Sequence, residues 1–133
     1  MRLLWVASQD AVLEAERFQN IATGFTVETA PSGWEGIERL AVASYDAVLA
    51  SFPIPDWTPE EFLEEVQRIH ALTPVIIREY SGSFRSAVHM TKLGAYHYVD
   101  NQVPDRELAS VVESAVEYRR SRELALFGGV KGT

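Results

Sequence analysis

The stretch 45-YDAVLASFPIPDW-57 decides the fold of this chain. It holds an apolar run, Ala47–Ala50, that reaches Ser51 and then breaks into a proline-containing loop. A short apolar run between turn signals is typical of a strand buried on both faces of a parallel sheet. In such sheets, ligands and chemistry lie just beyond the carboxyl ends of the strands. The residue at position 51 is therefore the first candidate for a functional group, and it is a serine.

The composition indicates one globular domain. The chain has 133 residues, of which 47% are hydrophobic and 23% charged, which is enough to build a core without disulfides or metals. The absence of cysteine excludes disulfides and thiolate ligands. A formal net charge of −7 argues against direct nucleic-acid binding, which needs clustered basic residues. No apolar run approaches the roughly 18–20 residues that span a bilayer, and the apolar start of the chain is too short for a signal segment. We therefore expect a cytoplasmic protein without membrane contacts.

Strand-like and helix-like segments alternate five times along the chain. Strands are predicted at Leu3–Ala7, Phe25–Thr29, Ala47–Ala50, Pro74–Ile77 and Tyr96–Val99, and a helix is predicted after each of them. Short connections between alternating elements are typical of a parallel sheet with right-handed crossovers and helices on both faces. The prediction is a single-domain α/β fold, a doubly wound five-stranded sheet in a three-layer α/β/α arrangement.

Capping signals mark the expected helix ends. Asp10 is the predicted N-cap of the first helix, and Gly24 is expected to stop it. Ser32 and Glu35 have the spacing of a capping box for the second helix. The third helix opens on the cap, proline and acid of Thr58–Glu61.

The last helix is longer than the domain requires. It opens at Pro104, and its pattern continues through the basic cluster Arg119–Arg122 to Leu126. We interpret residues 1–120 as the domain and residues 121–133 as a helix extension followed by a linker or tail. The basic cluster is too short for a nucleic-acid site, and it indicates a helix that continues toward an output domain or a dimer partner.

Three stretches carry a resemblance to a known family. TVETAPSGWEGIERL (Thr26–Leu40), YDAVL (Tyr45–Leu49) and SAVHMTKLGAYHYV (Ser86–Val99) resemble the receiver domain of two-component response regulators, in the right order and at the right strand and helix positions. The resemblance extends from Arg2 to about Arg120. It implies a flavodoxin-like fold with strand order 2-1-3-4-5. It also implies a switch in which an aspartate accepts a phosphoryl group from a histidine kinase and the fourth and fifth helices rearrange.

The positions that the family uses for this chemistry are altered. Ser51 stands where the acceptor aspartate is expected, and Ala7 and Ser8 stand where an acid pair would bind Mg²⁺. Glu79 replaces the hydroxyl residue after the fourth strand, and Asn101 replaces the lysine after the fifth. The resemblance therefore implies a degenerate receiver that has lost aspartyl-phosphate chemistry, with no metal and no other cofactor.

Several alternatives stay open at this point. Ser51 is either a small buried residue or a substrate of a serine kinase. Glu79 is either a permanent negative group at the switch, together with the retained aromatic Tyr98, or a solvated acid, for instance one paired with Arg78. Asp10 is a less favoured candidate for a metal-binding acid in a shifted register.

No nucleophile–base pair, paired carboxylates or metal cluster is apparent, so we predict that the chain is not an enzyme. Our first hypothesis is a phosphorylation-independent receiver-like domain that acts in signal transduction or transcription regulation. Its expected partner is an output domain, a partner protein or a second copy, bound through the helix at 84–93, the strand at 96–99 and the last helix. The alternative is a small-ligand sensor that uses a vacant pocket around Ser8, Ser51, Glu79 and Asn101.

Overall fold

A computed structural model describes residues 1–9 and 11–128 of the chain. The strands are β1 (Arg2–Val6), β2 (Thr26–Ala30), β3 (Ala47–Phe52), β4 (Val75–Glu79) and β5 (His97–Asp100). The helices are α1 (Ala11–Ile21), α2 (Gly33–Val42), α3 (Pro59–Ile69), α4 (Phe84–Lys92) and α5 (Asp105–Glu123), and a π-helical segment, Leu124–Gly128, continues α5. The predicted cap Asp10 and the tail from Gly129 to Thr133 lie outside the described residues.

The five strands form one parallel sheet in the order β2-β1-β3-β4-β5. This order confirms the predicted doubly wound fold. Strand bounds differ from the predicted ones by one or two residues. The difference that matters most is at the carboxyl ends, because β3 extends through Ser51 to Phe52 and β4 extends to Glu79.

Two separate hydrophobic cores cover the two faces of the sheet. One core lies under α1 and α5 and includes Trp5 and Leu49, and we call this side the α1/α5 face. The other core lies under α2, α3 and α4 and includes Phe52 and Phe62, and we call this side the α2–α4 face. Because side chains alternate along a strand, neighbouring residues of β3 or β4 enter different cores.

The helix starts follow the capping signals. The Ser32 hydroxyl accepts a hydrogen bond from the Glu35 amide, 3.1 Å away, and both halves of the capping box are present between Thr58 and Glu61. The loop after β3 also contributes, because the carboxylate of Asp56 accepts hydrogen bonds from the first two amides of α2. This carboxylate fixes the loop beside the carboxyl end of β3.

The ends of α1 and α4 differ in their use of glycine. After α4, Gly94 has a φ of +112°, which a residue with a Cβ rarely adopts. The expectation that Gly24 stops α1 is wrong. α1 already ends at Ile21, and Gly94 is the one glycine with positive φ among the described residues.

Candidate functional site

Ser51 lies in β3 and not beyond it. Its side chain is on the α1/α5 face, and the residue is only 7% exposed. The Ser51 hydroxyl oxygen accepts a hydrogen bond of 3.1 Å from Nε of Arg78. The two residues are direct neighbours in the β3–β4 register, so both side chains lie on the same face. Ser51 is thus part of a buried polar contact at the carboxyl edge of the sheet.

Sequence reasoning considered Arg78 only as a partner of Glu79 and missed its place beside Ser51. It is 5% exposed, and its Nη2 lies 2.5 Å from a carboxylate oxygen of Glu14 in α1. Its guanidinium carbon also lies 5.2 Å from the ring centroid of Trp5. A buried charge is costly unless it is paired and hydrogen-bonded. Ser51, Glu14 and Trp5 together supply that pairing, and we call these four residues the arginine cluster.

The predicted acid-pair positions lie beside this cluster but carry no acid. Ala7 is buried, and its amide donates a 3.0 Å hydrogen bond to the carbonyl of Ala30. Ser8 is exposed and lines a cavity of about 420 Å³ together with Glu14, Ser51 and other residues. The lining of the cavity therefore includes four residues with hydroxyl groups, Ser8, Ser51, Tyr80 and Ser81, and a carboxylate that already binds Arg78.

These residues do not fit the Mg²⁺ that the phosphoryl chemistry of the receiver family uses. Among residues 1–9 and 11–128, no three His, Asp or Glu side chains come together as a metal site. Glu14, the carboxylate nearest to Ser51 in the contacts described above, is held by a guanidinium. Mg²⁺ needs carboxylate oxygens that are free to bind it in near-octahedral geometry. At this edge of the sheet, the positive charge is the guanidinium of Arg78.

Glu79 follows Arg78 in β4 but enters the opposite core. The hypothesis that these two residues pair is therefore wrong, since Arg78 binds Glu14 across the other face. Glu79 is half-buried and lines a second cavity, of about 370 Å³, with Trp57 and Tyr80. Burial is the main cause that raises the pKa of Glu79, and the charge of Glu60 adds to it, while the Tyr98 hydroxyl opposes the shift.

Tyr98 places its hydroxyl under the start of α4. The oxygen is buried without a hydrogen bond of normal geometry to a described residue, and it lies against Gly82 closely enough that a Cβ there would collide with it. Burial raises the pKa of Tyr98, and the nearby charge of Glu79 raises it further. Tyr98 and Glu79 thus form a second polar contact, on the α2–α4 face.

The predicted common pocket of Ser8, Ser51, Glu79 and Asn101 does not form. Ser8 and Ser51 line one cavity, and Glu79 lines the other. Asn101 is half-buried just after β5 and lines neither of them. The structure divides the predicted pocket into two neighbouring cavities at the carboxyl edge of the sheet, which share the lining residues Phe52, Pro53, Tyr80 and Ser81.

Comparisons with known proteins point to the same class of domain. A scan of protein-family models finds no match. The transcriptional regulatory protein GlrR of Escherichia coli K12 is 27% identical over 115 residues, which cover 86% of this chain and 26% of GlrR. The chain thus spans about a quarter of the length of the first curated relatives that it matches.

Solved structures agree on the fold. A response regulator receiver domain (CheY-like) from Methanospirillum hungatei superposes with a TM-score of 0.81 at 21% identity, covering 91% of this chain and 97% of that one. The beryllofluoride-activated NtrC4 receiver domain dimer gives 0.80 at 19% identity, covering 89% and 98%. The chain is therefore similar in sequence to response regulators of two-component systems, and it has the flavodoxin-like fold of their receiver domains.

A search of the described helices for membrane spans is negative: none combines the length and the apolar character that crossing a bilayer requires.

Proposed function

We propose that this chain is a receiver-like signalling domain that works without phosphorylation. The observation that carries the proposal is the buried guanidinium of Arg78 beside Ser51. In the family's reaction, an aspartate at this position attacks a phosphoryl group while a divalent cation neutralises the developing charge. Here a hydroxyl replaces the carboxylate, and an arginine bound to Glu14 supplies a fixed charge next to it.

A guanidinium can neutralise charge but cannot replace the missing nucleophile. Ser51 has no histidine, lysine or carboxylate within the contacts described for it, so its hydroxyl has no general base. Arg78 does not serve as one, because arginine stays protonated in proteins. The cluster is thus suited to holding one conformation and not to a cycle of phosphoryl transfer.

The test of this proposal is incubation of the 133-residue chain with a small phosphodonor and Mg²⁺, followed by intact-mass measurement. We expect no one-phosphate adduct, while a receiver with a complete acceptor site, treated in parallel, gains one. We expect the same result for Ser51→Asp, since the new carboxylate would pair with Arg78 and still lack an acid pair to hold Mg²⁺. A stoichiometric adduct on the wild-type chain would overturn the proposal.

The proposed output is a protein–protein contact through α4, β5 and α5. Helix α4 buries only Met90 among its residues, and it leaves Phe84 86% exposed. Val88 and Tyr118 are further exposed apolar side chains of α4 and α5. Helix α4 carries Arg85, His89 and Lys92 and no acid. This surface favours a partner with apolar and acidic groups, which includes a second copy presenting the acids of α5.

Oligomeric state tests this contact. One relative in fold is described as a receiver domain dimer, and we extend that assembly to this chain as a proposal. Size-exclusion chromatography with light scattering should show a concentration-dependent dimer that Phe84→Ser weakens. The matched control is Leu13→Ser in α1, which removes a residue that is 75% exposed from a different surface. A strict monomer at all concentrations would exclude the second copy as the partner.

A further inference from the structure

The second cavity has the lining of a small-molecule site. It lies between the loop after β3, the start of α3 and the segment after β4, and its volume is about 370 Å³. Phe52 and Ile54 are buried apolar residues of its lining, and Trp57 and Tyr80 are further aromatic residues that line it. Ligand sites in proteins usually have volumes from about 300 Å³ upward and combine an apolar lining with a few polar groups.

Glu79 is the charged residue that lines this cavity. It is half-buried, and burial together with the charge of Glu60 raises its pKa. Within the described part of the chain, no Lys, Arg or His side chain is within ion-pair distance of Glu79. Its neighbour Arg78 is on the other face and bound to Glu14. The cavity thus holds an anionic group whose charge is not matched by a described residue.

The amino terminus of α3 also borders the cavity, and its partial positive charge is already offset. Thr58 and Glu61 bind each other's amide groups in the capping box, and Glu60 and Glu61 place two acids in the first turn. Acids in the first turn of a helix compensate its dipole. An anionic ligand would therefore meet net negative charge here.

We propose that this cavity binds a small organic ammonium cation, with the ammonium group against Glu79 and its alkyl groups against Trp57 and Tyr80. Aromatic faces attract ammonium groups, and they do so most strongly when the cation is alkylated and weakly hydrated. A half-buried carboxylate that lacks a cation gains one in the complex. Glu79 enters the opposite face of the sheet from Arg78 and Ser51, and the proposed cavity meets the cavity beside Ser51 at shared lining residues such as Tyr80.

The test is an NMR titration of the ¹⁵N-labelled 133-residue chain with choline. The control ligand is 3,3-dimethylbutan-1-ol, which has the same shape and no charge. We expect saturable shifts of the indole N–H of Trp57 and of the amides of Glu79 and Tyr80, with little change at the indole of Trp34. Choline should bind at least about tenfold more tightly than the neutral alcohol, as expected for one partly desolvated ion pair with cation–π contacts.

Matched variants separate the site from general electrostatics. Glu79→Gln should weaken choline binding about tenfold, whereas Glu64→Gln, which removes the same charge from an exposed position of α3, should leave it unchanged. Tyr80→Ser changes a residue that is 61% exposed, so it tests the aromatic contact without opening the core, and it should also weaken binding.

Three results would overturn the proposal. The first is the absence of a saturable shift with choline. The second is equal binding of the uncharged alcohol, which would indicate an unselective apolar cavity. The third is an equal effect of Glu79→Gln and Glu64→Gln on choline affinity, which would indicate long-range attraction to an acidic protein and not a site at Glu79.

Discussion

Arg78 and Glu79 are consecutive residues of β4 with opposite charges, and their side chains lie in different surroundings on opposite faces of the sheet. Arg78 enters the α1/α5 face, where Ser51, Glu14 and Trp5 satisfy its guanidinium. Glu79 enters the α2–α4 face, where burial raises the pKa of its carboxyl group and no basic side chain among the described residues pairs with it. Because a strand sends successive side chains to opposite faces, neighbours in sequence cannot neutralise each other across the sheet.

The comparison separates a site whose buried polar groups are paired from a site whose buried polar groups are not fully paired. The arginine cluster joins β1, β3, β4 and α1, so it holds the carboxyl edge of the sheet in one arrangement. The contact between Glu79 and Tyr98 joins β4 and β5 beneath α4, and there a buried hydroxyl lacks a normal hydrogen bond. We expect loss of the charged groups of the first site to lower stability and neutralisation of Glu79 in the second site to raise it.

The largest expected effect comes from removing the guanidinium. Arg78→Ala should lower the free energy of unfolding by about 3 kcal/mol, because Glu14 and Ser51 lose their partner and the packing on Trp5 is lost. Urea unfolding followed by tryptophan fluorescence measures this change. The control is Arg68→Ala. The Arg68 side chain is 69% exposed and pairs with Glu65 at the surface, and such a pair is expected to contribute less than about 1 kcal/mol. Equal effects of the two variants would contradict a stabilising role of the cluster.

On the α2–α4 face, we expect a steric clash to lower stability more than the loss of a polar contact does. Gly82→Ala should cost about 1–2 kcal/mol, because the new Cβ collides with the Tyr98 hydroxyl. The control is Gly24→Ala, where the nearest atom to the new Cβ is Cε of Met1 at 3.7 Å. Combining Gly82→Ala with Tyr98→Phe should restore most of the loss in a double-mutant cycle. If the two changes are additive, the inward position of the Tyr98 hydroxyl is wrong.

The fold was predictable because its signals are local. The apolar runs of β1, β3 and β4 are bounded by turn residues, and the caps at Ser32 and Thr58 lie where the helices begin. The order of the strands followed from the family resemblance and agrees with the alternation of elements. The one-residue shift of β1 has a physical reason. Arg2 pairs with Thr26 in the sheet while its guanidinium reaches out to Glu28, so a charged residue belongs to the strand.

The site was less predictable, because its contacts depend on register and on distance along the chain. The predicted fourth strand ends at Ile77, and this short bound hid the fact that residues 78 and 79 continue the alternation. A predicted strand that extended to Glu79 would have placed the side chains of Arg78 and Glu79 on opposite faces of the sheet. The partner of Arg78 was out of reach in any case, since Glu14 lies 64 positions earlier and no pattern in the sequence links the two.

A third change sharpens the comparison by keeping the arginine and altering its partner. Glu14→Gln should lower the free energy of unfolding by about 1 kcal/mol, because the amide oxygen still accepts from Arg78 but carries no charge. The effect should be smaller than that of Arg78→Ala because the Glu14 side chain is 32% exposed and the freed guanidinium can recruit water. Glu16→Gln, at an exposed position of the same helix, should have no measurable effect. If Glu14→Gln matches this control in urea unfolding, the ion pair does not contribute to stability.

The smallest expected effect is the opposite in sign and lies at Glu79. Burial raises the pKa of this carboxyl group in the folded chain, so the folded state binds more protons than the unfolded state between the ordinary glutamate pKa and the raised one. Stability from this group is therefore complete at low pH and is lost as the pH rises through the raised pKa. Glu79→Gln should remove that dependence and stabilise the chain at neutral pH by about 0.5 kcal/mol.

Urea unfolding of both proteins from about pH 4 to about pH 8 measures the difference between them, which should be near zero at the acidic end and grow with pH. Glu64→Gln serves as the control for the loss of one negative charge, since its side chain is exposed on α3. A difference of constant size across this range would mean that Glu79 titrates alike in the folded and unfolded chains. The carboxylate would then be hydrated in the fold, and the contrast between the two residues of β4 would be one of geometry alone.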